Sequence, residues 1–93
     1  MTPVIFRAER SGRFKGDVTA VFPTLPGSPH CMTCYAHIGQ HSSCSFDWYN
    51  DTRPATPAEY GDLLRELRGI YDDLKVCKRI TRAMRDELRK NER

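Results

Sequence analysis

Short runs rich in β-branched and aromatic residues alternate with polar turn segments along the first third of this chain. Val4 to Phe6 and Asp17 to Phe22 are two such runs, and the connection between them contains glycine and several basic residues. Residues of these types favour strands, so the two runs are predicted to form a β-hairpin closed at Pro23. The prolines and glycine of Thr24 to Pro29 then predict a loop, because proline cannot donate a ladder hydrogen bond.

The next run, Cys31 to Ile38, alternates with a period of two and predicts a third strand. The more apolar set is assigned to the core and consists of Met32, Cys34, Ala36 and Ile38. The set predicted to face outward consists of Cys31, Thr33, Tyr35 and His37. Gly39 ends this strand. The polar stretch from Ser42 to Pro54 has no clear period and predicts a structured loop with at most one short edge strand.

The clearest helix signal in the chain begins at Thr56. Thr56 to Glu59 reads T-P-A-E, a capping box with proline at the first helical position. Apolar residues then recur at helical spacing while the intervening positions are charged, which predicts an amphipathic helix of about three to four turns that covers a sheet. Gly69 marks the predicted end of this helix.

The C-terminal part of the chain gives weaker signals. Leu74 to Ile80 alternates apolar residues with lysines and predicts a half-exposed strand. Residues 81–93 offer only Met84 and Leu88 as an apolar pair, and isolated helices this short are marginal in water, so a basic tail or a short frayed helix is predicted there. The whole pattern predicts one α+β domain over residues 3–80, with a small antiparallel sheet of three to four strands and one amphipathic helix packed on one face, followed by a basic C-terminal extension.

Length and composition limit the class of protein. A chain of 93 residues has room for one small domain, and 39% hydrophobic with 29% charged residues is typical of a folded, soluble chain. No apolar run approaches the roughly 20 residues that span a bilayer, and the N-terminus lacks the features of a signal peptide. We therefore expect a protein of the bacterial cytoplasm with no membrane partner, whose cysteines are thiols or metal ligands and not disulfides.

The net charge of +3 is unevenly distributed. From Lys75 to Arg93 eight basic residues face three acidic ones, whereas from Val18 to Leu74 seven acidic residues face three basic ones. A chain with an acidic middle and a basic end can bind an anionic partner with the end alone.

Five segments, taken in order, resemble a family of small uncharacterised proteins encoded by bacteriophages, prophages and other mobile elements. The segments are V-I-F-R, V-T-A-V-F-P-T-L-P-G, Y-A-H-I-G-Q-H, A-T-P-A-E-Y-G-D-L-L-R-E-L and L-K-V-C-K-R. The most specific part is the Y-x-H-x-G-Q-H segment followed by the helix start T-P-x-E-Y. The resemblance implies a mobile-element origin and no particular chemistry. Small proteins of such elements often inhibit host defence systems, in the manner of anti-CRISPR proteins, or act as regulators.

All three histidines and three of the four cysteines fall within one short stretch that ends at Cys44. Cys31-x-x-Cys34 and His41-x-x-Cys44 supply two pairs of zinc ligands, although a strand would place the first two cysteines on opposite faces. The alternative is an enzyme that uses a thiolate–imidazole pair, formed by Cys34 or Cys44 with His37 or His41. No carboxylate occurs at a recognisable spacing to orient such a pair, so a non-catalytic protein is the preferred interpretation.

Two kinds of binding surface remain open. One is a protein interface, which typically combines aromatic anchors with a charged rim. The anchors would be Phe46, Trp48 and Tyr49, taken as exposed, and the basic C-terminus would supply the charge. The basic hairpin connection and the same C-terminus would instead contact the phosphates of a nucleic acid. We expect a binding protein whose partner is a host protein or protein complex, with a zinc- or nucleic-acid-binding module and a homodimer as alternatives. The candidate binding residues are Tyr35, His37, Gln40, His41, Trp48, Tyr49, Arg82, Arg85 and Arg89.

Overall fold

A computed structural model of the chain describes residues 1–36 and 40–92, and their architecture is α+β. The strands are β1 (Thr2–Ala8), β2 (Val18–Pro26), β3 (Met32–Ala36), β4 (Gln40–Cys44), β5 (Arg53–Pro54) and β6 (Leu74–Cys77). The helices are α1 (Phe46–Asp51), α2 (Pro57–Arg68) and α3 (Arg82–Asn91). The predicted fold class is confirmed. The described residues form six strands where three to four were predicted, and three helices where one amphipathic helix and a tail or short frayed helix were predicted.

The sheet has the order β4-β3-β2-β1, and these neighbours are antiparallel. Beyond β1 the sheet divides, since β5 pairs antiparallel with the C-terminal end of β1 and β6 pairs parallel with its N-terminal half. The predicted β1–β2 hairpin is present, and β2 continues past Pro23 to Pro26. The register between β2 and β3 shifts between Phe22 and Pro26, which is where the prolines cannot donate ladder hydrogen bonds.

Both faces of the sheet are covered, so successive residues of β1 enter different cores. We call the side that packs against α2 the α2 face; its buried residues are Val4, Phe6, Ala20, Phe22, Tyr35, Leu63 and Leu67. We call the opposite side the α3 face; its buried residues are Ile5, Val21, Met32, Cys34, Cys44, Tyr49 and Leu88. Three layers in a chain of this size explain why the strand runs read as continuous apolar segments.

Helix α2 begins as its sequence predicts. The Thr56 hydroxyl accepts a hydrogen bond from the Glu59 N–H at 3.3 Å, and the Glu59 carboxylate accepts one from the Thr56 N–H at 2.9 Å. The predicted core residues Leu63 and Leu67 are buried, and Gly69 is the C-cap.

The C-terminal segment that was predicted to be a tail or a frayed helix forms α3 and packs on the sheet. Its N-cap Thr81 accepts from the Met84 N–H at 3.2 Å, and Leu88 is only 3% exposed. Near the other end, the Asn91 side-chain amide donates to the Thr24 carbonyl of β2 at 2.7 Å. The prediction treated the helix as isolated, whereas the α3 face of the sheet provides the apolar surface that stabilises a short amphipathic helix.

The burial predicted for two residues of β3 is wrong. Tyr35 was predicted to face outward but is 2% exposed, because α2 covers that side of the strand and the Tyr35 hydroxyl donates to the Glu66 carboxylate. Ala36 was predicted to be in the core but is exposed. Met32 and Cys34 are buried as predicted, and Cys31 and Thr33 are half-buried. The predictions for residues 37–39 lie outside the described residues.

The stretch predicted to be a loop contains regular structure. Ser45 caps α1 by accepting a hydrogen bond from the Trp48 N–H at 3.0 Å, and Thr52 ends the helix before β5. Among the described helices, none combines the length and the apolar character needed to cross a membrane.

Candidate functional site

On the α2 face, His41 lies among aromatic side chains. It is directly opposite Tyr35 in the β3–β4 register, with the two ring centres 4.9 Å apart. Its Nε2 atom is hydrogen-bonded to the Tyr71 hydroxyl at 2.8 Å. Burial raises the pKa of Tyr71, so this phenol stays protonated at neutral pH. His41 is exposed and reachable by a partner, whereas Tyr35 is not.

On the α3 face, two neighbouring cysteine thiols line a groove. Cys34 is opposite Ser42 in the register, and its Sγ atom is 3.1 Å from the Ser42 Oγ atom. Cys44 lies two residues further along β4, on the same face, and each cysteine is 6% exposed. The groove has a volume of about 390 Å³ and is also lined by Glu9 and Trp48.

The two thiols change each other's ionisation. Hydrogen bonding to the Cys44 thiol, with a further contribution from Ser42 and against the opposing effect of burial, lowers the pKa of Cys34 to about 6. The same contact, together with burial, raises the pKa of Cys44. The pair therefore loses its first proton more easily than an ordinary cysteine and its second proton with more difficulty.

The four predicted zinc ligands do not converge. His41 belongs to the α2 face, whereas Cys34 and Cys44 belong to the α3 face, so the sheet separates the histidine from the thiols. Within residues 1–36 and 40–92, no three His, Cys, Asp or Glu side chains lie together in a way that could hold a metal ion. Of the predicted ligands, only the Cys34–Cys44 pair is brought into contact.

The aromatic residues of α1 are less exposed than the sequence suggested. Tyr49 is buried with the Arg7 guanidinium 4.3 Å above its ring, and Arg7 is itself held by the Thr52 hydroxyl and carbonyl at 2.9 and 2.6 Å. Trp48 is half-buried and donates from Nε1 to the Glu9 carboxylate at 3.0 Å. The prediction of exposed aromatic anchors is therefore wrong for Tyr49, because a buried arginine from β1 occupies its outer surface.

Helix α3 presents the predicted basic residues together. Arg82, Arg85 and Arg89 are exposed and occupy helix positions i, i+3 and i+7, which lie on one side of an α-helix. The Arg85 guanidinium stacks over the half-buried Phe46 ring at 4.8 Å. We call the surface formed by these three arginines and Phe46 the arginine surface.

A groove of about 420 Å³ lies beside the arginine surface. It is lined by His30, Phe46, Arg85, Leu88, Arg89 and Glu92. The groove thus combines an apolar floor with a mostly basic rim.

A third groove, which sequence reasoning missed, lies at the edge where the sheet divides. It has a volume of about 540 Å³ and is lined by Phe6, Pro54, Ala55, Pro57, Tyr60, Val76, Cys77 and Lys78. It exists because two strands share β1 as their neighbour, and no local pattern in the sequence signals that arrangement.

Of the other predicted binding residues, Gln40 is the first residue of β4, while its side chain and His37 lie outside the described part of the chain.

The site residues predicted from the sequence are thus spread over three places: the His41 cluster, the cysteine pair and the arginine surface. Comparison with protein-family models, with curated proteins and with solved structures finds no match for this chain.

Proposed function

We propose that this protein is a non-catalytic binding protein that uses the arginine surface to dock on an acidic patch of a host protein or protein complex. The observation that carries the proposal is the exposure of Arg82, Arg85 and Arg89 on one side of α3. Among the described residues, the ion pairs join other side chains and leave these three cations available to a partner.

A protein partner fits this surface better than a nucleic acid does. The half-buried Phe46 and the adjoining groove provide an apolar centre with charges at its rim, which is the usual composition of a protein interface. Asp86, Glu87 and Glu92 are exposed on the same helix or at its end, and they would repel a phosphate backbone.

The proposed partner is a component of a host defence system in the bacterial cytoplasm. This part of the proposal rests on the resemblance of five segments to small proteins of phages and mobile elements. It also fits the charge pattern, because a basic surface presented by α3 can select an acidic partner.

The test compares affinity capture from a bacterial host lysate by the wild-type protein and by the triple variant R82E/R85E/R89E. The matched control is R65E/R68E/K75E, which changes the net charge equally at exposed positions away from α3. Exposed charge pairs contribute about 0.2–1 kcal/mol each, so three reversals should weaken binding by about tenfold or more. Circular dichroism and thermal melting establish that both variants remain folded.

Equal capture by the R82E/R85E/R89E variant and the wild type would refute the proposal. So would a loss of binding of the same size in the control variant, since general charge attraction would then account for capture. Tight binding of DNA or RNA that weakens steeply with salt and is lost only in R82E/R85E/R89E would assign the surface to nucleic acid instead.

A further inference from the structure

Three sulfur-containing residues lie on the α3 face of the β3–β4 ladder. Met32 and Cys34 are two residues apart on β3, so their side chains leave the same face of the sheet. Cys44 lies directly opposite Met32 on β4. All three belong to one buried cluster, in which Met32 is fully buried and the two thiols line the groove.

We propose that this face binds one Cu(I) ion through the Cys34 and Cys44 thiolates, with the Met32 thioether as the third donor. Soft thiolate and thioether ligands select Cu(I), and no hard oxygen ligand is needed. Binding of the ion releases the two thiol protons to solvent, because thiolates and not thiols are the metal ligands.

The register favours a bridging ion over a disulfide between these cysteines. Cys34 pairs with Ser42 and Cys44 pairs with Met32, so the two cysteines are diagonal neighbours. Diagonal neighbours in an antiparallel sheet have Cα atoms about 7–8 Å apart. A disulfide requires Cα atoms no more than about 6.8 Å apart, so forming one would require the strands to move. An ion with metal–sulfur bonds of about 2.3 Å bridges the additional distance without such movement.

The ligand set also favours Cu(I) over Zn²⁺. Structural zinc is held by four ligands in a tetrahedral arrangement. Among the residues that the structure describes, no group of three His, Cys, Asp or Glu side chains could hold a metal ion, so the two thiolates lack the further ligands that structural zinc requires. The groove gives an ion a path to the two thiols. The Ser42 hydroxyl lies 3.1 Å from the Cys34 sulfur and can donate a hydrogen bond to its thiolate.

The test is an anaerobic titration of the reduced full-length chain with Cu(I), in competition with a colorimetric Cu(I) chelator. We expect one equivalent of Cu(I) per chain. Cys34→Ser and Cys44→Ser should each lower the affinity by more than about 100-fold, beyond the 10- to 100-fold typical for loss of an outer hydrogen-bond partner. Met32→Leu, which conserves volume, should lower it by about tenfold. Cys77→Ser is the matched control and should bind Cu(I) as the wild type does. Cys77 lies on β6, which β1 and β2 separate from β3.

A second measurement on the wild-type chain keeps the proposal testable if a variant fails to fold. Cu(I) should protect Cys34 and Cys44 from alkylation by iodoacetamide and leave Cys77 reactive, as mapped by mass spectrometry of peptides. Equal alkylation of Cys34 with and without Cu(I) would overturn the site, as would Cu(I) affinity no higher than that of the Cys34→Ser variant. Zn²⁺ binding as tight as Cu(I) binding would overturn the choice of metal. Unchanged affinity in Met32→Leu would remove Met32 from the ligand set.

Discussion

Replacing Leu88 by alanine should show whether α3 is part of the folded domain. Leu88 is the buried residue of α3 and packs in the core of the α3 face with Ile5, Val21 and Met32. If that packing stabilises the domain, Leu88→Ala will lower the free energy of unfolding of the whole chain. If α3 were a frayed extension, the substitution would have almost no effect.

The expected magnitude follows from the burial of Leu88. The side chain is 3% exposed, so the substitution removes nearly its full transfer free energy. Three carbon groups at about 0.8 kcal/mol each give about 2.4 kcal/mol, and the cavity left behind increases the cost for buried leucines to about 3–5 kcal/mol. Because α3 lies at the end of the chain and can relax towards the cavity, we expect about 2–3 kcal/mol. That loss corresponds to a fall of about 8–24 °C in melting temperature for a domain of this size.

Urea denaturation followed by tryptophan fluorescence measures this change directly. Trp48 is the single tryptophan of the chain and lies in α1, on the same side of the sheet as α3. The control is Lys90→Ala, an exposed position on the same helix, which should change the free energy of unfolding by less than about 0.5 kcal/mol. Equal stabilities of the Leu88→Ala and Lys90→Ala variants would mean that α3 does not contribute to the domain, and the arginine surface would then lose its rigid support.

Two further predictions concern groups with shifted pKa values. Arg53 and the Thr56 N–H lower the pKa of Glu59 to about 2, so its stabilising effect is complete above the unfolded pKa of about 4.3 and is lost as the pH falls towards 2. Thermal melts from about pH 5 to pH 2 should therefore show a shallower decline in Glu59→Gln, and identical declines would contradict the assignment. The rate at which iodoacetamide alkylates Cys34 should reach half of its maximum near pH 6, because the thiolate is the reactive form. Cys44→Ser should move that midpoint to higher pH, because it removes the thiol that lowers the pKa of Cys34. A midpoint that stays in place would show that Cys44 is not the cause.

The elements that the sequence predicted correctly are those specified by local interactions. The start of α2 depends on Thr56, Pro57 and Glu59, which lie within four consecutive positions, so the capping box could be recognised directly. Likewise, the composition of β1 and β2 identifies both strands and their hairpin without reference to the rest of the chain.

The errors have a common physical cause, which is that the sheet is covered on both faces. Alternation identifies an inner and an outer face only where one face meets water. Tyr35 was assigned to solvent because it is the more polar choice, but α2 places Glu66 where the tyrosine hydroxyl can donate a hydrogen bond. Leu88 and Met84 were too few to predict a stable helix, since the surface that α3 covers is assembled from distant strands.

The candidate sites could be predicted only in part, for the same reason. The sequence brings histidines and cysteines together in one segment, and the period of the strands then separates His41 from the thiols. The contact between Cys34 and Cys44 depends on the β3–β4 register, which no local pattern specifies. The three arginines of α3 were predicted because the excess of basic residues near the C-terminus can be counted directly in the sequence. The groove beside them also needs His30 and Phe46 from other parts of the chain, and no local pattern indicates it.

Coverage of both faces also restricts where a partner can bind. Helices cover the inner strands on both faces, so the surfaces open to a protein partner are the outer sides of the helices, the sheet edges and the exposed part of β4 around His41. The edge strand β6 carries the exposed residues Lys75 and Val76, and lysines on an edge strand oppose pairing with another strand. Two copies joined along β6 would bring like charges together, which disfavours the homodimer at that edge. The outer side of α3 does not oppose binding in this way. Its cations lie beside an apolar groove and would attract an acidic partner. We therefore propose that α3, and not the β6 edge, is the surface that selects the partner.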